Sequence, residues 1–297
     1  LDAQGDGKGD VLWYAPGATT DHLWTGGGSG AFTASTVTIG GTYDDVVPLD
    51  VDADGDDDIL WYNRSTGSSY LWLATGTGTW QAVTLRRPKG LRPLVVATDG
   101  NGRDEVFWYG PGALADSLWS WGGSAFTSRS QSVGGAYLAV PGDFDGNGTD
   151  DVLWYGPGSA PDHLWLSTGA GAHREVTISV GGAYLPFVGD FDGDRTDDVF
   201  WYGPGTAADR VWFGAAGGAF VGQSVAVNGT YQPMVADLEG DGRDDVVWYA
   251  PGPASDAWWR RSATRAIGPT ELTADGSHQA IVGGFSTGGA DGIFWYA

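Results

Sequence analysis

The dipeptide Trp-Tyr occurs seven times in this chain at a nearly constant spacing, and each copy follows a glycine-rich segment that is acidic in most copies. Successive copies lie 46 to 48 residues apart, with the tryptophans at Trp13, Trp61, Trp108, Trp154, Trp201, Trp248 and Trp295. A period held this closely over 297 residues indicates one supersecondary unit that is copied and stacked along the chain. The fold must therefore be an array of similar units.

Each repeat contains four short segments rich in β-branched and aromatic residues, separated by Gly/Pro turns. In the fifth copy they fall near 183–189, 198–202, 210–213 and 221–227. Such segments, with no helical period, are typical of antiparallel β-structure. Radial closure of one sheet per repeat predicts an all-β β-propeller of about seven four-stranded antiparallel blades, forming a single domain over residues 1–297. The first and last copies are incomplete, so six blades is the alternative.

The segment before each Trp-Tyr follows the pattern Asp-x-Asp-Gly-Asp-Gly-x-x-Asp, with oxygen ligands at loop positions 1, 3, 5 and 9. This spacing suits Ca²⁺, a hard cation that prefers carboxylate and carbonyl oxygens. An EF-hand would have Glu at position 12 and continue as a helix, but the fifth copy has Trp201 there, within a strand-like run. The pattern therefore predicts a calcium loop between two strands, with a solvated acidic turn as the alternative.

The seven copies of this loop differ in how many ligands they keep. Copies two, four, five and six are complete, and their predicted ligands are Asp50, Asp52, Asp54, Asp58, Asp143, Asp145, Asn147, Asp151, Asp190, Asp192, Asp194, Asp198, Asp237, Glu239, Asp241 and Asp245. Copy one offers Asp2, Gln4, Asp6 and Asp10, whereas copy three keeps only Asp99, Asn101 and Glu105. Copy seven has lost its ligands. We expect four to five Ca²⁺ sites, weak binding or none in copy three, and folding linked to calcium because crowded carboxylates repel one another.

The loops and the Val-Leu-Trp-Tyr or Val-Phe-Trp-Tyr strands that follow them resemble FG-GAP (VCBS-type) repeats over essentially the whole chain. That superfamily includes the head of integrin α-subunits and seven-bladed bacterial and fungal lectins, and its loops bind calcium. The resemblance implies the same ligands in this chain. It is specific for fold and metal, and much less so for function.

A second pattern follows Trp-Tyr, in which Asp stands three residues before another Trp. The candidate ligand-binding residues are Asp21, His22, Trp24, Asp116, Trp119, Asp162, His163, Trp165, Asp209, Trp212, Asp256 and Trp259. A carboxylate acceptor beside an indole face suits a pyranose ring, whereas the alternative is that Trp fills the space between blades and Asp ties a turn. Trp80, Trp121 and Trp258 stand outside both series and are better candidates for exposed contacts.

Composition narrows the functional classes. With 37 acidic against 15 basic residues and a net charge of −22, no basic stripe is present for nucleic acid. No hydrophobic run is long enough for a membrane span, and the four histidines share no metal-ligand spacing. We therefore expect no catalytic activity, with a polysaccharide-acting enzyme as a minor alternative. Calcium loops of moderate affinity suit millimolar extracellular calcium, which favours secretion.

Together these patterns predict a secreted, calcium-binding propeller that acts as a lectin-like module for glycans at a cell surface. The alternative is a scaffold propeller that binds a protein partner within a larger extracellular polypeptide, assembly or toxin complex. Its interface would lie on the irregular copies, where the basic segment 86–92 reads Arg-Arg-Pro-Lys-Gly-Leu-Arg. Binding to glycans should separate the two hypotheses.

Overall fold

The computed structural model describes residues 1–252, 255–261, 267–272, 274, 276–286 and 288–296. Regular structure in these residues consists of β-strands, which confirms the all-β prediction. In the same residues there is no helix of the length and apolarity needed to cross a membrane. The chain divides into two compact units, Leu1–Ala136 with Gly284–Thr287 and Tyr137–Gly283 with Gly288–Ala297.

The first unit holds the sheets of repeats one to three, each an antiparallel meander. Repeat one has three strands, β1 (Val11–Trp13), β2 (Asp21–Gly26) and β3 (Phe32–Val37). Repeat two has four, β4 (Asp45–Leu49), β5 (Asp58–Tyr62), β6 (Ser68–Ala74) and β7 (Trp80–Arg86). Repeat three has β8 (Arg92–Val96), β9 (Glu105–Tyr109), β10 (Asp116–Trp121) and β11 (Phe126–Gln131).

The second unit holds the sheets of repeats four to seven, again as antiparallel meanders. Repeat four has β12 (Leu138–Gly142), β13 (Asp151–Tyr155), β14 (Asp162–Gly169) and β15 (Ala172–Ile178). Repeat five has β16 (Leu185–Gly189), β17 (Asp198–Tyr202), β18 (Asp209–Ala215) and β19 (Ala219–Val225). Repeat six has β20 (Gln232–Ala236), β21 (Asp245–Tyr249), β22 (Asp256–Arg261) and β23 (Ile267–Leu272), and repeat seven has β24 (Gln279–Gly283) and β25 (Gly292–Tyr296).

The strand that carries Trp-Tyr forms the core of each complete repeat. All five residues of β5, β9, β13, β17 and β21 are buried, because both faces of these second strands are covered. The fourth strands instead alternate partly buried and exposed residues, as in β19. Five of the seven Trp-Tyr tryptophans are at most 1% exposed and belong to the core, while Trp13 and Trp295 in the incomplete sheets are partly buried.

The tyrosine of each dipeptide packs against the next repeat. The ring centroid of Tyr202 lies 5.0 Å from that of Trp248, and Tyr155 and Trp201 are related in the same way at 5.0 Å. The Tyr202 hydroxyl also donates to Gly229 O at 3.0 Å and accepts from Tyr231 N at 2.9 Å. In each such pair, the tryptophan therefore packs in the core of its own repeat and the tyrosine contacts the following repeat.

Seven complete four-stranded sheets are not present in the part of the chain that the structure describes. Five repeats have four strands, whereas repeat one has three and repeat seven has two. In the described residues, no strand precedes the acidic loop of repeat one, and the sheet of repeat seven consists of β24 and β25.

Candidate functional site

Loops one, two, four, five and six are each folded by the aspartate at their first position. In loop five, Asp190 Oδ1 accepts from the backbone nitrogens of Gly193 (2.7 Å) and Asp194 (3.2 Å), and its Oδ2 accepts from Arg195 N at 2.8 Å. Equivalent bonds are made by Asp2, Asp50, Asp143 and Asp237. A carboxylate that accepts several backbone N–H groups fixes a short turn, so the loops are held in shape by the chain itself.

The Gly-x-Gly spacing of the loops has a conformational cause. Loop positions 4 and 6 have positive φ in loops one to six, and most of these positions are glycine. The exceptions are Ala53 at φ 62° and Arg195 at φ 68°. Residues other than glycine are strained at positive φ, so Ala53 and Arg195 add a small conformational free-energy cost to loops two and five.

The acid at position 9 ties its loop to a strand. Asp198 Oδ2 accepts from Phe191 N and its Oδ1 accepts from Gly214 N on β18, both at 2.9 Å. Asp58 and Asp151 make the same two kinds of bond. Burial raises the pKa of Asp198 to about 8 and that of Asp58 and of Asp151 to about 7. These carboxylates therefore have a structural role that the metal-ligand pattern alone does not indicate.

Three loops bring their acids together as a cation site requires. Ligand oxygens within 4.8 Å of one another occur in loops two, four and five, contributed by Asp50, Asp52, Asp58, Asp143, Asp145, Asp151, Asp190, Asp192 and Asp194. Asp52 Oδ1 and Asp145 Oδ1 are buried and have no hydrogen-bond donor among the described residues. A buried carboxylate oxygen without a donor is unfavourable, and a hard cation would satisfy it. These donor sets fit Ca²⁺.

In loop six, arginines occupy the acids that the sequence assigns to metal. Asp241 Oδ2 accepts from Arg243 Nη1 at 2.9 Å, and Glu239 Oε2 accepts from Arg260 Nε at 2.9 Å. A guanidinium and a calcium ion compete for the same carboxylate, because both bind its lone pairs. Loop six therefore matches the ligand pattern in sequence but is less prepared for metal than loops two, four and five.

In loops one and three, protein groups also bind side chains that the sequence assigns to metal. In loop one, Asp6 pairs with Lys8. In loop three, Glu105 accepts from Thr98 through Oε2 and from Ser120 Oγ through Oε1 at 2.5 Å. Both oxygens of this glutamate are thus engaged by protein donors, as are those of Asp198 in loop five, and weak metal binding in loop three stays a prediction.

Neighbouring loops are joined by an aspartate at position 8, which the sequence analysis did not single out. Asp197 Oδ2 accepts from Asp143 N, and Asp197 N donates to Asp143 O, both at 2.8 Å. The same reciprocal pair joins Asp57 to Asp2, Asp104 to Asp50, Asp244 to Asp190 and Asp291 to Asp237. The sequence signal is the acidic pair at positions 8 and 9. In repeat one Gly9 replaces this aspartate and makes only the backbone bond, to Gly284 O at 2.8 Å.

The aspartates of the second pattern are engaged inside the protein. Asp209 Oδ1 accepts from Gly203 N and its Oδ2 accepts from Val227 N, both at 2.8 Å, and the residue is 4% exposed. Asp21, Asp116, Asp162 and Asp256 are buried and bridge the equivalent pairs of backbone nitrogens. This geometry favours turn-tying over sugar binding for the five carboxylates.

The tryptophans of that pattern line the outer side of the core. Trp212 packs edge-on to Trp201, with ring centroids 5.3 Å apart, and lies 5.4 Å from Phe220 on the fourth strand. Trp24, Trp119, Trp165 and Trp259 contact their Trp-Tyr tryptophans in the same manner. Of the two histidines, His163 pairs through Nδ1 with Glu175 at 2.7 Å, and His22 lies partly buried on β2.

One open groove in the first unit combines two half-buried tryptophans with hydroxyl groups. It has a volume of about 510 Å³ and lies between the end of β3 and the hairpin β6–β7. Its lining residues include Ser35, Thr36, Val37, Thr38, Trp72, Thr77, Gly78, Thr79, Trp80 and Ala82. We call it the Trp72–Trp80 groove.

The two indoles of this groove present a broad aromatic surface. Their ring centroids are 5.7 Å apart and their planes are inclined by 34°. Trp80 pairs with Ala74 at the start of β7, where repeats one, three, four and five have Phe32, Phe126, His173 and Phe220. Trp80 was a candidate for an exposed contact, whereas Trp72 was outside the candidate list because Ser69 replaces the aspartate in its repeat.

No protein-family model matches the chain, and no curated protein matches it. Among solved structures, it is similar to a lectin from Agrocybe aegerita that specifically recognises non-reducing terminal N-acetylglucosamine, with a TM-score of 0.76 and 18% identity over 100% of this chain and 84% of that one. It is also similar to a putative 6-phosphogluconolactonase from Bacteroides fragilis, with a TM-score of 0.58 and 11% identity over 90% of this chain and 82% of that one. A Photorhabdus luminescens Tc holotoxin pore chain matches with a TM-score of 0.56 and 16% identity, over 87% of this chain and 13% of that one.

At these identities the likenesses show the fold alone. The fold is an all-β β-propeller of four-stranded antiparallel blades, as the repeat predicted. The likeness to the Agrocybe aegerita lectin supports six blades, the alternative to the predicted seven.

Proposed function

We propose that this chain is a carbohydrate-binding β-propeller whose glycan site is the Trp72–Trp80 groove. The observation that carries the proposal is the combination of two neighbouring indoles with a rim of hydroxyl groups in one open cavity. Pyranose rings stack their C–H faces on indoles and exchange hydrogen bonds through their hydroxyls, so both kinds of contact are available.

The size and charge of the groove narrow the ligand class. A volume of about 510 Å³ lies within the range of small-ligand sites and suits one or two sugar rings. None of the ten residues named above as its lining is charged, so the groove is suited to neutral saccharides. The hydroxyls of Thr75, Thr77 and Thr79 contact one another at 2.7 to 3.1 Å on the β6–β7 turn, which provides donors and acceptors at one end.

The likeness to the Agrocybe aegerita lectin supports a role in recognition for this fold, and its specificity makes non-reducing terminal N-acetylglucosamine a reasonable first probe. We propose binding without catalysis, because the groove offers aromatic faces and hydroxyls but no acid–base pair among the lining residues named above.

We also propose that Ca²⁺ binds in loops two, four and five. The residues that would hold it are the clustered aspartates at positions 1, 3 and 9 of loops two and four and at positions 1, 3 and 5 of loop five. Of these, Asp52 and Asp145 each have a buried oxygen without a donor among the described residues. When bound, the ion would neutralise the crowded carboxylates and stiffen the loops. Calcium of this kind suits a protein that works outside the cell, so we propose a secreted location.

The test is binding of the purified chain to a glycan array in excess CaCl₂, followed by calorimetry on the tightest neutral saccharide. Trp80→Ala should weaken that binding about two- to tenfold, because an aromatic contact is worth about 0.5–1.5 kcal/mol beyond the area that it buries. Trp258→Phe, at a tryptophan of β22 outside the groove, is the matched control and should bind like the wild type. If no neutral saccharide binds, or if Trp80→Ala binds normally, the proposal is wrong and a protein partner becomes the better hypothesis.

A further inference from the structure

One position in the repeat changes chemical character in the second repeat. The residue that follows the fourth strand is aliphatic elsewhere, with Ile39, Val133, Val180, Val227 and Ala274 each donating its N–H to the aspartate of the second pattern. In repeat two this place, just after β7, is taken by Arg87. A cation therefore lies where the other repeats have a small apolar side chain.

The guanidinium of Arg87 is held between two tryptophans of repeat three. Its central carbon lies 4.8 Å from the ring centroid of Trp108 and 4.2 Å from that of Trp119, and Nη2 donates to Ser117 Oγ at 3.1 Å. Trp119 occupies the place on β10 that Trp72 occupies on β6, since each pairs with the residue two before the Trp of Trp-Tyr. Arg87 therefore contacts, one repeat further on, the counterpart of Trp72. We call the surface around Arg87, Ser117 and Trp119 the Arg87 groove.

Donor groups in this groove outnumber acceptors. Arg87 Nε is buried and has no hydrogen-bond acceptor among the residues that the structure describes. In the same part of the chain, no carboxylate lies within ion-pair distance of Arg87. Guanidinium and indole nitrogens donate but do not accept, so the missing partner is an acceptor, and an anion suits the cation best.

The local charge also favours an anion, despite the net charge of −22. Arg86, Lys89 and Arg92 lie within five residues of Arg87 and are exposed. Burial lowers the pKa of Arg87 to about 10, which still leaves it charged at neutral pH.

We propose that the Arg87 groove binds an acidic saccharide, one whose ring carries a carboxylate or a sulfate group. The anion would pair with the guanidinium, and the sugar ring would lie against the exposed part of Trp119. This inference rests on the proposed carbohydrate-binding function and extends it to a second, charged class of glycan at a different groove. An acidic peptide is the competing ligand, and it lacks a rigid ring to stack on the indole.

The experiment is calorimetry on the whole chain in excess CaCl₂ with four probes. They are a glucuronic acid-terminated disaccharide, its uncharged glucose-terminated counterpart, a sulfated form of the latter, and an aspartate-rich peptide of similar charge. Arg87→Gln removes the charge and keeps much of the stem, Arg87→Lys keeps the charge without the planar fork, and Trp80→Ala serves as the control in the other groove. Thermal melting establishes that each variant is folded.

We expect one or both acidic saccharides to bind more tightly than the uncharged counterpart, with an affinity that falls as NaCl rises. Arg87→Gln should weaken the binding of acidic saccharides at least tenfold and leave the binding of neutral saccharides unchanged. Arg87→Lys should bind acidic saccharides with an affinity between those of the wild type and Arg87→Gln. Trp80→Ala should weaken the binding of the neutral saccharide and leave the binding of the acidic saccharides unchanged. If the wild-type chain binds the acidic saccharides but no neutral saccharide, the Trp72–Trp80 proposal is overturned and this one stands. Normal acidic binding by Arg87→Gln, or tighter binding of the peptide than of either acidic saccharide, would overturn this inference.

Discussion

Replacing Asp209 with alanine leaves two buried backbone N–H groups, those of Gly203 and Val227, without their acceptor. Each now lies 2.8 Å from a carboxylate oxygen of a side chain that is 4% exposed. A buried donor without a partner costs about 1–3 kcal/mol, so Asp209→Ala should lower the free energy of unfolding by about 2–6 kcal/mol. The measurement is urea denaturation in excess CaCl₂, followed by tryptophan fluorescence.

A matched control removes a carboxylate that bridges no buried nitrogens. Glu175 on β15 is 53% exposed and pairs only with His163 in a surface ion pair. Glu175→Gln should change the free energy of unfolding by no more than about 0.5–1 kcal/mol. The structural role assigned to the second-pattern aspartates is refuted if Asp209→Ala unfolds like the wild type and instead loses saccharide binding.

Three further predictions concern the loops and the joins between repeats. Calcium should raise the melting temperature and EDTA should abolish that gain, and calorimetry should show Asp145→Asn weakening calcium binding more than Asp241→Asn, because Asp241 is already paired with Arg243. In EDTA, the free energy of unfolding should be greatest near pH 4 and should decrease as the pH rises to about 8. The reason is that burial raises the pKa of Asp58, Asp151 and Asp198 to about 7–8, so the folded chain keeps protons that the unfolded chain releases; a flat urea midpoint across this range would contradict the assignment. Tyr202→Phe should lower the free energy of unfolding by about 1–3 kcal/mol, since it removes the hydroxyl between Gly229 O and Tyr231 N, and an unchanged urea midpoint would argue against this join.

The features that sequence reasoning predicted are those whose causes are local. The buried second strand follows from runs such as Asp198–Tyr202, and the loop shape follows from an aspartate whose partners lie three to five residues away, as at Asp190. The period of the repeat then fixes the sheet type, because one meander must be stacked many times.

The features that sequence reasoning missed depend on partners in another repeat. Asp197 is an acceptor for Asp143 N, 54 residues away, and a pattern counted within one loop cannot show this bond. The pairing of Glu239 with Arg260 lies within repeat six, but it joins the loop to a strand 21 residues further along the chain, which a pattern counted within the loop cannot show either. Blade number was also beyond the pattern, because it depends on how two incomplete repeats are accommodated.

The candidate glycan site shows the same division. Trp80 stood outside both tryptophan series in the sequence. The structure places it in a groove, at a position where other repeats have Phe or His. Its partner surface, however, comes from the end of β3 in the preceding repeat, so the groove exists only after two sheets are placed side by side. The aspartates of the second pattern were candidates for sugar binding by sequence, but their carboxylate oxygens accept hydrogen bonds from backbone nitrogens of their own repeat, as at Asp209.

The most direct test of the central claim is a crystal structure of the chain with the neutral saccharide that binds it most tightly in excess CaCl₂. Our account predicts one sugar ring against the indoles of Trp72 and Trp80, with its hydroxyls hydrogen-bonded to the threonines of the β6–β7 turn. A saccharide bound elsewhere on the protein, with this groove free of ligand, would contradict it.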